Sequence, residues 1–211
     1  MSAPALPTTT AAALVLAAGS GSRFGGTKQL AELDGQPLVA HAVATAHAAG
    51  LAPVYLVVGH DRDAVIAAAA SAGEVEVVDN PDHAAGQAGS LARGIVAVEH
   101  GPDVDVVVVL LADQPRVRAD VAQAVADAAA SSADGIARAS YADGPGHPVA
   151  LARQVWPRLH DLAGDEGARQ LFAGYDIATV SVSDTLPRDV DTAGDLDTLR
   201  RGGHRPGHPP K

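Results

Sequence analysis

The chain contains no cysteine. That excludes disulfides and thiolate metal sites, and it fits a cytoplasmic setting. Lysine is nearly missing: of the 15 basic residues only Lys28 and Lys211 are lysine. Basic residues form no stripe, and the net charge is −10, so no nucleic-acid partner is expected. Aromatic residues make up 3% of a chain that is 47% hydrophobic, so Ala, Val and Leu must build the core. No apolar run approaches the length of a membrane span, and no membrane partner is expected. The opening MSAPALPTTT has no basic region before its apolar residues, which makes it a poor signal peptide. A length of 211 residues suits one domain, or one plus a small lobe.

What the chain does have is a conspicuous loop, LVLAAGSGSRFGGTK, from Leu14 to Lys28. An apolar run stops at Ala17, Ala18 and Gly19, and five of the next nine residues are Gly or Ser. A buried strand followed by such a loop brings backbone N–H groups close to a phosphate. Gly19 and Gly21 allow the sharp turn, and Arg23 and Lys28 supply charge. In a chain that otherwise uses Arg, Lys28 offers a compact point charge for a phosphate oxygen. Two better-known loops do not fit. A dinucleotide fingerprint needs a small residue where this chain has Phe24, and a P-loop needs Ser or Thr after Gly-Lys, whereas Gly26 is followed by Thr27, Lys28 and Gln29. A plain Gly-rich turn with no ligand is the competing interpretation.

The chain in order reads as alternating strands and helices. Residues 1–10 are expected to be a flexible leader. The first strand is expected over Ala12–Ala17, and a helix opened by Pro37 over Pro37–Ala49. Val54–Val58 is a continuous apolar run, the pattern of a central parallel strand. Asp61 is expected to cap a helix through Ala72, and Val75–Val78 to form a third strand. The loop HAAGQAGS leads into a helix over Ser90–Glu99. Asp105–Leu111 is the strongest strand, followed by a helix over Asp120–Ser131. This alternation argues for βαβ units and an α/β, three-layer, mostly parallel sheet. Beyond it, Ile136–Ala139 and Pro148–Leu151 are expected as strands joined by YADGPGH. Helices are expected over Arg153–Asp161 and Glu166–Ala173, a strand over Ile177–Val182, and a last helix over Ala193–Arg200. Residues 202–211 read as a disordered Pro/Gly-rich tail.

Ligands in such sheets sit at the carboxyl ends of strands. The Gly loop, Asn80 and Asp113 all fall there. Asp113, at the end of the strongest strand, suits Mg²⁺ held against ligand phosphates, or else a turn cap. Asp191 precedes the last helix and reads equally as its N-cap. Gly86 and Ser90 lie in a loop small enough to fold over a base or ribose, though Ser90 could serve only as a helix cap. Gly146 and His147 sit in a turn-rich GPGHP stretch. Asp165 and Arg169 sit in GDEGAR, which also reads as a surface helix start.

Taken together, LAAGSGSRFGGTK (16–28), DNPDHAAGQAGSL (79–91), LLADQP (110–115), GPGHPV (144–149), GDEGAR (164–169) and DVDTAGDL (189–196) resemble the MobA-like nucleotidyltransferases. Within that group the chain looks most like the molybdenum cofactor cytidylyltransferases, since it reads LAAG where guanylyltransferases usually read LAGG. The resemblance runs from about residue 11 to 200. It implies a Rossmann-like nucleotidyltransferase domain over 11–201, with a nucleotide-binding part at about 11–115 and an acceptor-side part at about 116–201. It implies phosphate binding by Arg23 and Lys28, with Asp113 the third catalytic residue. Nucleotide contacts would come from Ala17, Ala18, Gly19, Gly21, Gly86 and Ser90. Asp113 and Asp191 would be paired Mg²⁺ carboxylates, and Gly146, His147, Asp165 and Arg169 would face the acceptor. Ala193 departs from the family, which often has Pro there.

The reaction so implied moves CMP from CTP to a phosphate of molybdopterin, with a molybdoenzyme or its maturation chaperone as a downstream partner. Three rivals stand beside it: a sugar or alcohol phosphate acceptor, an NAD(P)H-dependent oxidoreductase, and a binding protein that holds the cofactor without chemistry. Phe24 argues against the second, and Lys28, Asp113 and Asp191 argue against the third.

Overall fold

The structure is a computed structural model, and it describes residues 9–21, 23–160, 172 and 174–202. Three runs of small or branched apolar residues form its centre: β1 (Ala11–Leu16), β4 (Val54–Val58) and β6 (Val106–Leu111). Almost every residue in them is buried, because helices cover both faces. β1 lies between the other two, parallel to both, pairing Val15 with Leu56 and with Leu110. β5 (Glu76–Asp79) extends the sheet beyond β4. On the other side come β8 (Gly144–Ala152), β7 (Ile136–Tyr141) and β9 (Ala178–Ser181). The seven-stranded order is β5-β4-β1-β6-β8-β7-β9, and only β8 runs antiparallel. This is the mostly parallel α/β architecture expected.

Period-two alternation sorts the strand side chains between two cores. Ala11, Ala13 and Val15 pack under α1 (Leu38–Ala48), α2 (Arg62–Ala70) and α4 (Ala119–Ser131). Ala12, Leu14 and Leu16 face α3 (Gln87–His100) and the 3₁₀ segment Arg153–Arg158. The chain moves outward from β1 to β4 to β5, then returns across β1 to β6. Since parallel crossovers are right-handed, this reversal puts α3 on the opposite face from α1 and α2. The reversal also leaves a crevice at the carboxyl ends of β1 and β6. With so few aromatic residues, Trp156 is the largest fully buried side chain, its indole N–H donating to the Leu151 carbonyl at 3.0 Å.

Several expected elements shift. A two-strand hairpin, β2 (Glu32–Leu33) with β3 (Gln36–Pro37), precedes α1. Asp34 and Gly35 turn it with φ of 52° and 79°, the two-residue turn favoured for Asp-Gly. Helix α3 begins at Gln87, three residues before Ser90, so Ser90 is not its cap. Asp61 stands at the start of α2 in a left-handed conformation and makes no capping bond there. GPGHPV is strand rather than turn. The expected helix over 153–161 is 3₁₀ only over Arg153–Arg158, where Pro157 lacks the N–H an α-helix would use. The last helix, α5 (Ala193–Gly202), starts where expected. Of the expected helix over 166–173 only residue 172 is described, and the leader through residue 8 and the tail from 203 lie outside the described residues.

Helix α3 approaches β1 closely because it presents Gly94 to Leu14; a Cβ at Gly94 would run into the Leu14 methyls. Gly94→Val is therefore expected to cost about 1–3 kcal/mol by overpacking. Combined with Leu14→Ala, it should cost less than the sum of the two, because the cavity left by Leu14 accepts the added methyls. Urea unfolding of the four proteins measures the coupling, and simple additivity would show that the two residues do not meet.

Candidate active site

The loop after β1 is held from behind by one side chain. The Ala17 N–H still bonds the Val57 carbonyl at 2.9 Å, one step beyond the strand. Gln29, in the 3₁₀ turn Lys28–Leu30, is only 3% exposed. Its Nε2 donates to the Ala17 carbonyl at 3.2 Å and the Gly19 carbonyl at 2.7 Å. These bonds fold the loop back so that Lys28 returns to the strand end. At Gly21, φ is +61° and a Cβ would strike the Gly26 carbonyl, so this turn requires glycine. The Thr27 hydroxyl meets the Asp61 carboxylate, which ties the loop to the start of α2 in place of the cap expected of Asp61.

Lys28 closes the loop on two carboxylates. Its Nζ lies 2.6 Å from Asp113 Oδ2 and 2.9 Å from Asp191 Oδ1. Burial works to lower the ammonium's pKa, but the adjacent Asp113 and Asp191 charges outweigh it, and the net shift is upward. The hydrogen bond from Lys28 holds Asp191 below the usual carboxylate range. Arg23, exposed over 78% of its side chain, reaches within 3.5 Å of Asp191. Asp191 is free for this role because Thr192 and Asp195 cap α5. The Asp195 carboxylate accepts the Thr192 N–H at 2.8 Å, while the Asp195 N–H donates to the Thr192 hydroxyl at 3.2 Å. This reciprocal cap forms without the proline that Ala193 replaces. The backbone joins the two acids as well, since the Val190 N–H donates to the Asp113 carbonyl at 2.9 Å.

A third carboxylate stands behind. Asp189 accepts the Gln114 amide at 2.6 Å. Burial pushes its pKa up, and the charges of Asp113 and Asp191 push the same way. Among the described residues no three His, Asp or Glu side chains form a ready metal cage. Two carboxylates converging on one ammonium do fit a hard divalent cation, which takes one or two protein carboxylates and fills its shell with waters and phosphates.

A cavity of about 520 Å³ opens above these groups, lined by Ala18, Gly19, Arg23, Lys28, Asp113 and Asp191 among others. Gly86 and Ser90 line its far side. Gly86 has φ of 115° and caps α3 with no side-chain bond. The first amides of α3 at this wall have no helical acceptor, which makes them donors for a ligand. Ser90 is buried, and its hydroxyl accepts the Asn80 amide at 2.9 Å. A second cavity, about 730 Å³, adjoins the first across Leu16, Gln87, Leu111 and Asp189, and contains Gly146 and His147.

The fold thus gathers Ala18, Gly19, Arg23, Lys28, Gly86, Ser90, Asp113 and Asp191 around one cavity. Ala17 lies behind it in the core with both backbone polar groups bonded internally, and Gly21 shapes the loop. Gly146 and His147 belong to the second cavity, and Asp165 and Arg169 lie outside the described residues. Sequence reasoning missed Gln29, Gln114 and Arg138. Arg138 had a signal, a lone charge inside an apolar strand; Gln29 had none.

Gln29→Leu should destabilise the protein by about 1–3 kcal/mol, since it leaves the Ala17 and Gly19 carbonyls without their donor in a buried place. Chemical denaturation measures this, and a change below about 0.5 kcal/mol would show that Gln29 does not hold the loop.

Residues 13–180 match the family model described as the MobA-like NTP transferase domain. The chain is 30% identical to Rv0371c from Mycobacterium tuberculosis H37Rv, whose crystal structure aligns with a TM-score of 0.79 over 93% of this chain and 100% of that one. A manganese complex of Rv0371c aligns at 31% identity with a TM-score of 0.76, over 92% of this chain and 99% of that one. Among curated proteins, the bifunctional protein GlmU of Xanthomonas axonopodis pv. citri (strain 306) is 35% identical over 109 residues, 51% of this chain. The 3-deoxy-manno-octulosonate cytidylyltransferase of Methylorubrum populi (strain ATCC BAA-705 / NCIMB 13946 / BJ001) is 36% identical over 91 residues, 43% of this chain. The chain spans only 23% and 36% of the lengths of these two relatives. With the family model covering most of the sheet and the loop, crevice and acids in the arrangement just described, the chain belongs to the MobA-like NTP transferase domain family.

Proposed function

We propose that the protein transfers CMP from CTP to the terminal phosphate of molybdopterin, with molybdenum already bound, and releases pyrophosphate. Residues 11–201 act as one unit, the part up to about residue 115 binding nucleotide and the remainder the acceptor. The observation that carries this reading is the Lys28 ammonium set between Asp113 and Asp191 at the floor of a glycine-lined cavity. It is a charge arrangement suited to nucleoside triphosphate phosphates, and the transfer needs no protein nucleophile.

In the transfer, an oxygen of the acceptor phosphate attacks the α-phosphorus of CTP. The bond from that phosphorus to the oxygen bridging the β-phosphorus breaks, and pyrophosphate leaves with the electron pair. The attacking phosphate is already ionised, so no general base is needed. Lys28 offsets charge on the phosphates from below, and the exposed Arg23 can fold over them. The loop amides and the start of α3 orient the nucleotide, so catalysis rests on position and electrostatics. Asp113 and Asp191 would hold Mg²⁺, which would neutralise phosphate oxygens; that the relative Rv0371c forms a manganese complex supports the use of a divalent ion.

CTP is supported by the resemblance to cytidylyltransferases and by the buried methyl of Ala18 in the cavity wall. It narrows the space beside the base where guanylyltransferase relatives have glycine, and a packed wall cannot flow around one methyl.

Incubation with CTP labelled at the α-phosphate, Mg²⁺ and molybdopterin should move label to the pterin. Label moving only to a sugar phosphate or an alcohol phosphate would replace the acceptor. Binding without transfer would favour a carrier, and hydride exchange with NAD(P)H an oxidoreductase. Asp113→Asn and Asp191→Asn should each lower the rate more than tenfold, a barrier increase above about 1.4 kcal/mol, with the fold intact by circular dichroism. Retention of more than a tenth of the rate removes that residue from the metal site.

Wild-type kcat/KM should favour CTP over GTP, and Ala18→Gly should shrink the preference without reversing it. A single steric change is worth about 1–3 kcal/mol, so GTP is expected to be a slow substrate. Equal use of both nucleotides by the wild type would exclude the cytidylyl assignment and leave nucleotidyl transfer standing.

A further inference from the structure

The Lys28 ammonium holds the oxygens that a divalent cation would need. Its Nζ lies 2.6 Å from Asp113 Oδ2 and 2.9 Å from Asp191 Oδ1. Magnesium binds carboxylate oxygens at about 2.0–2.1 Å and keeps several waters around itself. An ammonium bonded to both oxygens takes the lone pairs and the space that such a shell requires.

Charge argues the same way. Arg23 comes within 3.5 Å of the other Asp191 oxygen, Oδ2. Two cations thus face the two acids and offset their charge. The third acid on the cavity wall, Asp189, has Oδ1 committed to the Gln114 amide at 2.6 Å. A bare divalent cation approaching Asp113 and Asp191 meets little net negative charge. It also finds no group of three acids or imidazoles to complete its shell among the described residues. Lys28 and Asp113 are 15% and 21% exposed, so salt screens their attraction less than it would at an open surface.

A nucleoside triphosphate changes each of these conditions. Its phosphates bring negative charge and the oxygens that complete a magnesium shell. They also give Lys28 a new partner. An ammonium has three N–H donors on a flexible four-carbon stem, and the acids accept two of them. Lys28 can therefore move from carboxylates to phosphates and keep its hydrogen bonds. Arg23, with 78% of its side chain exposed, can follow.

We propose that Lys28 closes Asp113 and Asp191 to free divalent cations, and that the site takes its cation together with the triphosphate as Lys28 passes to the phosphates. This deepens the nucleotidyl-transfer reading above and rests on it for the cation and the nucleotide. By linkage, cation and triphosphate then tighten each other's binding by the same factor.

Mn²⁺ serves as the probe, because its paramagnetic resonance signal counts the unbound ion. Without nucleotide, wild type should bind Mn²⁺ weakly, and a Kd below about 10 μM overturns the proposal. Lys28→Met should bind Mn²⁺ at least tenfold more tightly than wild type. Equal or weaker binding by Lys28→Met overturns the proposal. Adding Asp113→Asn to Lys28→Met should abolish the gain; a gain that survives puts the cation elsewhere and overturns it too. Thermal melting shows whether Lys28→Met folds. If it does not, Lys28→Gln, which keeps a donor for the acids without the charge, takes its place, and the wild-type affinity remains a test by itself. Dialysis of labelled CTP against wild type, with and without Mn²⁺, tests the coupling. Mn²⁺ should tighten CTP at least tenfold, and equal affinity in both conditions overturns the coupling. Failure of CTP to bind in either condition counts against the nucleotide reading, while the Mn²⁺ titrations without nucleotide still decide the role of Lys28.

Discussion

The ammonium of Lys28 is the point on which the site depends. It joins a loop near the start of the chain to acids 85 and 163 residues further on. Lys28 and Asp113 are largely shielded, with 15% and 21% of their side chains exposed, while 36% of the Asp191 side chain is open to solvent. At the depth of Lys28 and Asp113, removing one partner leaves the other charge poorly solvated, so those two side chains are coupled. Everything nearby serves to bring them together. Gln29 folds the loop, the Val190 amide joins the Asp191 segment to Asp113, and Thr192 with Asp195 takes over the capping that would otherwise occupy Asp191. Val190 also anchors that segment in a small core with Leu33, Leu38 and Leu196. The β2–β3 hairpin therefore contributes to the site without touching it.

Strand order sets the two cavities side by side. The chain reverses direction across β1, so the loop after β1 and Asp113 after β6 meet at adjacent strand ends. The antiparallel β8 then carries Gly146 and His147 back toward that same edge. The two cavities share a wall formed by Leu16, Gln87, Leu111 and Asp189.

Much of the fold was legible in the chain. VYLVV and VVVVLL read as buried parallel strands because an apolar run of that length, bounded by turn residues, has few other uses. The glycine loop was legible for the same reason, since small residues after a buried strand have a backbone purpose. Misreadings arose where two local rules competed. Ser90 looked like a cap, yet the helix extends back to Gln87 and buries it against Asn80. Asp61 had the composition of a cap, but its carboxylate is drawn to Thr27. GPGHPV had turn residues throughout, but pairing with β6 and β7 overrides propensity and makes it a bulged strand.

The sequence alone determined the layered α/β class, the glycine-rich loop after the first strand and the residue types that could carry the chemistry, because these follow from local patterns of apolar, small and charged residues. Only the tertiary structure decided which acids meet. By residue type and position alone Asp191 reads equally as a helix cap, and the structure gives that cap to Thr192 and Asp195. Gln29 and Gln114 left no periodic trace, since Gln29 works through two carbonyls of the folded-back loop and Gln114 through one contact with Asp189, 75 residues on. Such contacts depend on strand order and register, which no window of neighbouring residues encodes.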